Sequence, residues 1–507
     1  MFRKHARRVK SFSCIDYLRQ SRKATKGAVY HLSLDAMKTV AKFICTPNAS
    51  GIPVTLFPRL EELCDKILNE ESTHWHKSFT TSLCGSTLRL LAFVFGRTPH
   101  HEPWAAEVYT PLEESLPRLG LIYPHLRFLR LADNYPFIDT AHVEDHCESI
   151  IQTLKDLRQL RSFSADLSLH FSLIETLAEL PLLQTLELRG EREIASSAGT
   201  ELDLALHHGF PSLTSLILEV HTPNSPINLL LALQASETLT SIHLEHIYTS
   251  FTCDSDPIIV FEAICRIPRL EILDVLLVDC QVGGPRPLPS LSGKLLATFF
   301  KLRHMKEIRL EGFSDITLTD TDLADAASAW PSLEDICFDP GDHSFVDDTD
   351  PSINSTPSAI TLCGIQILYN NCPNIRRISL DINDSLPVVK GSLKLPLARP
   401  RDKAVGQLII RSNSRLDLSK EYYADVIPIA IRLLFPQLYN LTIGPLATDS
   451  EPEKGWQQGA QANWEYHYRH MGSTQVQQSL HRVLAEMASE NLPLGINGGD
   501  STLTVVA

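Results

Sequence analysis

The amino-acid sequence predicts an α/β solenoid: a right-handed superhelix of irregular repeats, each adding one short strand to a parallel sheet. Three observations carry that prediction. Leucine is abundant, at 75 of 507 residues. Twelve segments repeat one pattern, an apolar residue, a second three positions on and a third two further. The stretches between several of them carry apolar residues at the three-to-four spacing of a helix, followed by a proline.

The first anchors fall at Leu60, Leu88, Leu126, Leu160, Leu183, Leu213, Leu239, Leu270, Met305, Leu333, Ile375 and Leu438. Steps between them run from 23 to 42 residues, except a last one of 63 that leaves room for a degenerate repeat around QLIIRS at 407–412. All twelve second anchors are apolar, from Leu63 and Leu91 through Phe163 and Ile308 to Leu441. Eleven of the twelve third anchors are apolar, Asp65 being the exception. Second and third anchors lie two residues apart, so they share one face of a strand, and the residue between them points the other way. One such strand cannot bury its apolar face alone, but stacked repeats bury it as a continuous core.

Helices are expected where IIQTLKDLRQL (150–160) and LATFFKLRHM (296–305) carry helical apolar spacing. Seven segments open on an aromatic, Cys or Ile followed by Pro, as in YPHLRFLRL (123–131) and CPNIRRISL (372–380). That proline stops the helix and leaves one turn before the strand. Strand, loop, helix and return within roughly 30 residues define a leucine-rich repeat, ribonuclease-inhibitor-like, with the sheet concave and the helices convex. A doubly wound α/β domain also alternates strand and helix. It would need long hydrophobic strands and a Gly-rich phosphate turn, and neither is present.

Composition narrows the class further. A net charge of −14 argues against non-specific binding of nucleic acid or anionic membrane by the whole chain. No apolar run approaches the ~20 residues that span a bilayer, and no secretory leader is found. Eleven cysteines, an odd number without a CxxC, suit a reducing compartment and buried free thiols. The expectation is a soluble monomer of the cytoplasm or nucleus.

The irregular repeats, the xP-x-L-x-x-L-x-L signatures and the opening FRKHARRVKSF (2–12) resemble the fungal F-box/leucine-rich-repeat proteins. In that family an N-terminal F-box grips the Skp adaptor of a cullin-based (SCF) ubiquitin ligase, and a segment much like residues 2–12 follows it. The repeat array then presents the substrate. The resemblance covers residues 2–445 and implies a non-catalytic substrate-recognition module. No LPxE-like F-box start is found, so the Skp adaptor is an expected partner only if an F-box lies upstream. The alternative is a repeat scaffold, or a small-GTPase regulator presenting an arginine near an early strand, with Arg130 and Arg189 as candidates.

Residues 1–50 are expected to form a basic helical cap, nine Lys or Arg against Asp16 alone within 1–26, although a mitochondrial transit peptide reads similarly. Residues 51–445 carry the solenoid of twelve or thirteen repeats. Residues 446–507 are read as a cap helix, TQVQQSLHRVLAEMA (474–488), and a disordered tail. Pro-, Gly- and acid-rich loops are expected at 281–292, 340–358 and 386–404.

No catalytic residue, cofactor or metal is assigned. GxSxG, Walker A, HExxH and dinucleotide fingerprints are all missing from the sequence. His74, Trp75 and His76, and the pairs His100–His101 and His207–His208, lack further ligands at metal spacing. Asp347, Asp348, Asp350 and Asn354 imitate a calcium loop without its central Gly or terminal Glu. Cys372 fills a slot taken by Phe, Tyr, Ile or Trp in sister segments and is read as core.

The candidate site is the concave face. Strand residues between and just beyond the anchors point away from the core. From the fifth to the eleventh repeat they include Glu187, Glu219, Glu245, Asp274, Glu307, Glu311, Asp335, Asp339 and Asp381, against Arg189, Arg309 and Arg377. Nine acids against three bases predict a basic, Lys/Arg-rich protein partner, not nucleic acid. The acids themselves are expected to be solvated.

Overall fold

A computed structural model of the chain describes residues 10–13, 59–67, 87–95, 119–133, 143–165, 171–190, 209–220, 227–248 (save 228, 232 and 235), 257–278, 289–340, 359–381, 393–396, 407–412, 440–445 and 502–505. They belong to two compact units, residues 1–268 and 269–507.

The first unit contains strands β1 (Ser11–Ser13), β2 (Glu62–Ile67), β3 (Leu90–Phe95), β4 (Phe128–Asp133), β5 (Ser162–Ala165), β6 (Thr185–Gly190), β7 (Ser215–Val220) and β8 (Ser241–Tyr248). Each pairs in parallel with the next, in chain order. The register is in phase with the sequence pattern. Leu63, Leu91, Leu129, Phe163, Leu186, Leu216 and Ile242 stand opposite one another across successive strands, and all are buried. So do the third anchors Leu131, Ala165, Leu188, Leu218 and Leu244. Helices α1 (Leu119–Ile122), α2 (Val143–Asp156), α3 (Phe171–Ala178) and α4 (Pro257–Ile264) lie between strands in the chain. The α2 helix buries Ile150, Ile151 and Leu154 and exposes Gln152 and Lys155.

In the second unit β9 (Ile272–Val278), β10 (Glu307–Phe313), β11 (Asp335–Pro340) and β12 (Arg377–Asp381) continue the same scheme. After a short β13 (Leu393–Pro396), β14 (Gln407–Ser412) pairs in parallel with β12 and with β15 (Asn440–Pro445). The long last step of the sequence pattern thus holds a further strand at QLIIRS. A separate antiparallel pair joins β13 to β16 (Thr502–Val505). Helices are α5 (Gly293–Thr298), prolonged by one 3-10 turn (Phe299–Lys301), α6 (Asp320–Ala329) and α7 (Leu362–Asn371). Their starts are capped by Ser292, by a Thr319–Asp322 capping box and by Thr361. The Asp320 carboxylate also accepts from the Thr361 N–H (2.8 Å) and hydroxyl (2.6 Å), tying α6 to the start of α7.

Each unit is therefore α/β with an open, all-parallel sheet in its main strand series. Among the described residues, the one before each signature proline has a structural role. Tyr123, Phe210, Ile267, Trp330 and Cys372 are all buried. The N–H groups of Tyr123, Trp330 and Cys372 close the preceding helix, on the carbonyls of Leu119, Ala326 and Leu368. The carbonyls of the same three residues accept from the first anchors Leu126, Leu333 and Ile375. Helix stop, turn and strand entry are one local unit. Cys372 is core, as its slot in the pattern implied.

Two local details differ from the sequence reading. Ser11–Ser13 is a strand added to β2, and the remainder of the helical cap expected at 1–50 lies outside the described residues, save Lys10. The 296–305 helix is shorter, because the α-helix gives way to the 3-10 turn at Phe299.

Candidate functional site

Where side chains are described, the anchors are buried and the intervening Arg130, Glu187, Ile217, His243, Asp274 and Arg309 are half-exposed on the other side of the strand, whereas Ala92, Ser164, Cys337 and Ser379 at the same position are buried. This outward face carries the nine acids, and the backbone ladder sets neighbouring ones about 4.8 Å apart.

In the first unit Arg189 stands opposite Glu219 and Glu219 opposite Glu245. The Arg189 guanidinium spans three strands: Nε lies 2.9 Å from Glu187 and Nη2 3.1 Å from Glu245. One arginine thus bridges two of the three acids that β6 to β8 carry on this face.

In the second unit Glu307, Asp335 and Arg377 occupy equivalent positions on β10, β11 and β12. Asp335 Oδ2 accepts from Arg309 Nη2 (3.2 Å) and Arg377 Nε (2.6 Å), and also from Arg377 Nη2. Burial opposes the Arg309 charge, but Asp335, with Asp274 and Glu307 further off, outweighs it and raises the Arg309 pKa above its ordinary value. Cys337 directs its thiol at the Glu311 carboxylate, 3.6 Å away, and Glu311 stands opposite Asp339. Asp381 ends β12 opposite Arg411 of β14.

These contacts correct the expectation of uniformly solvated acids. The Asp335 side chain is only 7% exposed, and its Oδ1 is buried without a hydrogen bond. It is an internal counter-ion for two arginines and not a docking charge. An outward position in a strand ordinarily means solvent, but here long arginines from both neighbouring strands fold over a short aspartate. Period-two patterning reads one strand at a time and contains no signal for that.

The histidine clusters, the Asp347–Asn354 loop and Leu438 lie outside the described residues. Among the described residues, no group of His, Cys, Asp or Glu could hold a metal ion, and no helix is long and apolar enough to cross a membrane. Ahead of the strands, ion pairs recur at one position: Lys10–Glu61 (2.9 Å), Lys306–Glu271 (2.6 Å) and Arg376–Glu334 (3.4 Å). No family model matches the chain, and no curated protein matches it either.

Proposed function

We propose that this chain is a non-catalytic protein-interaction protein of the leucine-rich-repeat class, whose outward sheet face docks a basic segment of a partner protein. One observation carries the reading: from β2 to β12 the anchors whose side chains are described are buried, while Arg130, Glu187, Ile217, His243, Asp274 and Arg309 between them are half-exposed on the opposite face. Within each unit the result is a surface presented by strands that backbone hydrogen bonds hold in place, which suits recognition of a protein surface. From the fifth to the eleventh repeat, acids at outward positions outnumber arginines nine to three, so internal pairing leaves an acidic excess there that favours a partner of opposite sign. By its likeness to F-box/leucine-rich-repeat proteins, the array would present a substrate for ubiquitin transfer, with the Skp adaptor held by an upstream F-box. The small-GTPase alternative is weaker, because Arg189 is engaged with Glu187 and Glu245 and is not presented as a free finger.

Affinity capture from lysate followed by mass spectrometry tests the proposal. Wild type is compared with a triple reversal, Glu219→Lys, Glu245→Lys and Glu307→Lys, which spares the buried Asp335. Specific proteins lost from the triple reversal support an acidic docking face. An identical protein set from both forms removes it.

A further inference from the structure

A second charged feature has the opposite sign. The residue just before each strand occupies one row of the first unit, because each donates its N–H to the carbonyl of the same residue in the preceding segment. Arg89 donates to Glu61, Arg127 to Arg89 and Arg161 to Arg127, each at 2.8 Å, and Gln184 to Arg161 at 2.7 Å. Arg89, Arg127 and Arg161 therefore stand side by side, about 4.8 Å apart at the backbone. Arg89 and Arg161 are exposed and Arg127 half-exposed.

Among the described residues no carboxylate forms a contact ion pair with any of the three, and only Glu61 acts on the row, through the charge of Arg89. The nearest acid in the row, Glu61, is hydrogen-bonded by Lys10, whose hydrogen bond and charge lower the Glu61 pKa, with a smaller contribution from the charge of Arg89. On the other side Gln184, Thr214 and Thr240 are uncharged. The corresponding row of the second unit alternates in sign and pairs off as Glu271–Lys306 and Glu334–Arg376. Three like charges side by side repel one another, and nothing in the stacking scheme demands them, since the second unit solves the same position with ion pairs. Beside the row, on the outward face, Leu90 stands opposite Phe128, which is 43% exposed.

We infer that this arginine row, with Phe128 and Leu90, is a docking surface for an acidic protein segment that carries an apolar or aromatic residue. The carboxylates would supply the counter-charges the row lacks, and the apolar residue would cover Phe128. A short segment is favoured over nucleic acid because the chain's net charge is −14. Screening at a Debye length of about 8 Å lets a few carboxylates respond to the local row, whereas a long polyanion meets the surrounding acids as well. The surface differs in sign and position from the acidic face and stands independently of it.

Fluorescence anisotropy on the full chain tests the inference, with a labelled glutamate-rich peptide containing Leu and Phe and a labelled single-stranded oligonucleotide as probes. The peptide is expected to bind in a salt-dependent manner. The triple variant Arg89→Ala, Arg127→Ala, Arg161→Ala is expected to weaken it by about tenfold or more, three exposed charge contacts being lost together. Phe128→Ala is expected to weaken it less, and the three Arg→Lys changes to retain most of it. Circular dichroism confirms that the variants fold. Absence of peptide binding, binding unchanged in the alanine triple, or tighter binding of the oligonucleotide would each overturn the inference.

Discussion

Asp335 shows best how one residue can depart from its pattern. It sits at an outward strand position, yet it is buried and accepts hydrogen bonds from Arg309 and Arg377. Removing a buried counter-ion leaves its partners uncompensated. Both arginines keep about a third of their side-chain surface in solvent, however, so the cost is moderated. Asp335→Ala is expected to lower the unfolding free energy by about 1–3 kcal/mol in urea titrations, and Glu307→Gln by under about 0.5 kcal/mol. Equal effects would mean that Asp335 is solvated after all. Gly312 is a second such residue. It lies at a register shift in β10 with φ of 85°, and a Cβ there would strike the Leu277 carbonyl. Gly312→Ala is therefore expected to cost about 2 kcal/mol or more, since both the backbone region and the space exclude a side chain. Neither residue was legible in the sequence, because both depend on what the neighbouring strand brings.

At the scale of the element the sequence was far more informative. Every first, second and third anchor whose side chain is described is buried, including the irregular choices Met305, Phe163 and Ala165. The reason is physical: parallel strands in register place equivalent residues opposite one another, so one repeated spacing settles both the strand and its neighbours. Leu216→Ala at the centre of this ladder is expected to cost about 2–5 kcal/mol as a cavity. Helix boundaries were harder to read. The α5 helix passes into a 3-10 turn at Phe299, and β1 forms where a basic stretch suggested helix, because pairing with β2 outweighs local propensity. Contacts between successive helices were also invisible, as with the Asp320 carboxylate on Thr361. Asp320→Ala removes both bonds and is expected to cost about 1–3 kcal/mol, measured by the same titration.

For the whole molecule, two features of charge underlie the proposed recognition: an acidic excess at outward strand positions and, at the strand entries of the first unit, an arginine row without contact ion pairs among the described residues. The acidic excess was visible as residue types at outward positions, although its internal bridging through Arg189 and Arg309 was not. The arginine row was equally present in the sequence, at the position after each first anchor, but its significance rests on which acids are already taken. The central claim is that the outward acidic face docks a basic partner segment. It is tested most directly by association rates of the captured partner across a salt series, for wild type and for the Glu219→Lys, Glu245→Lys, Glu307→Lys form. Electrostatic steering predicts faster association at low salt for wild type, with both the rate and its salt slope reduced in the triple reversal. The same rate and the same slope in both proteins would contradict it.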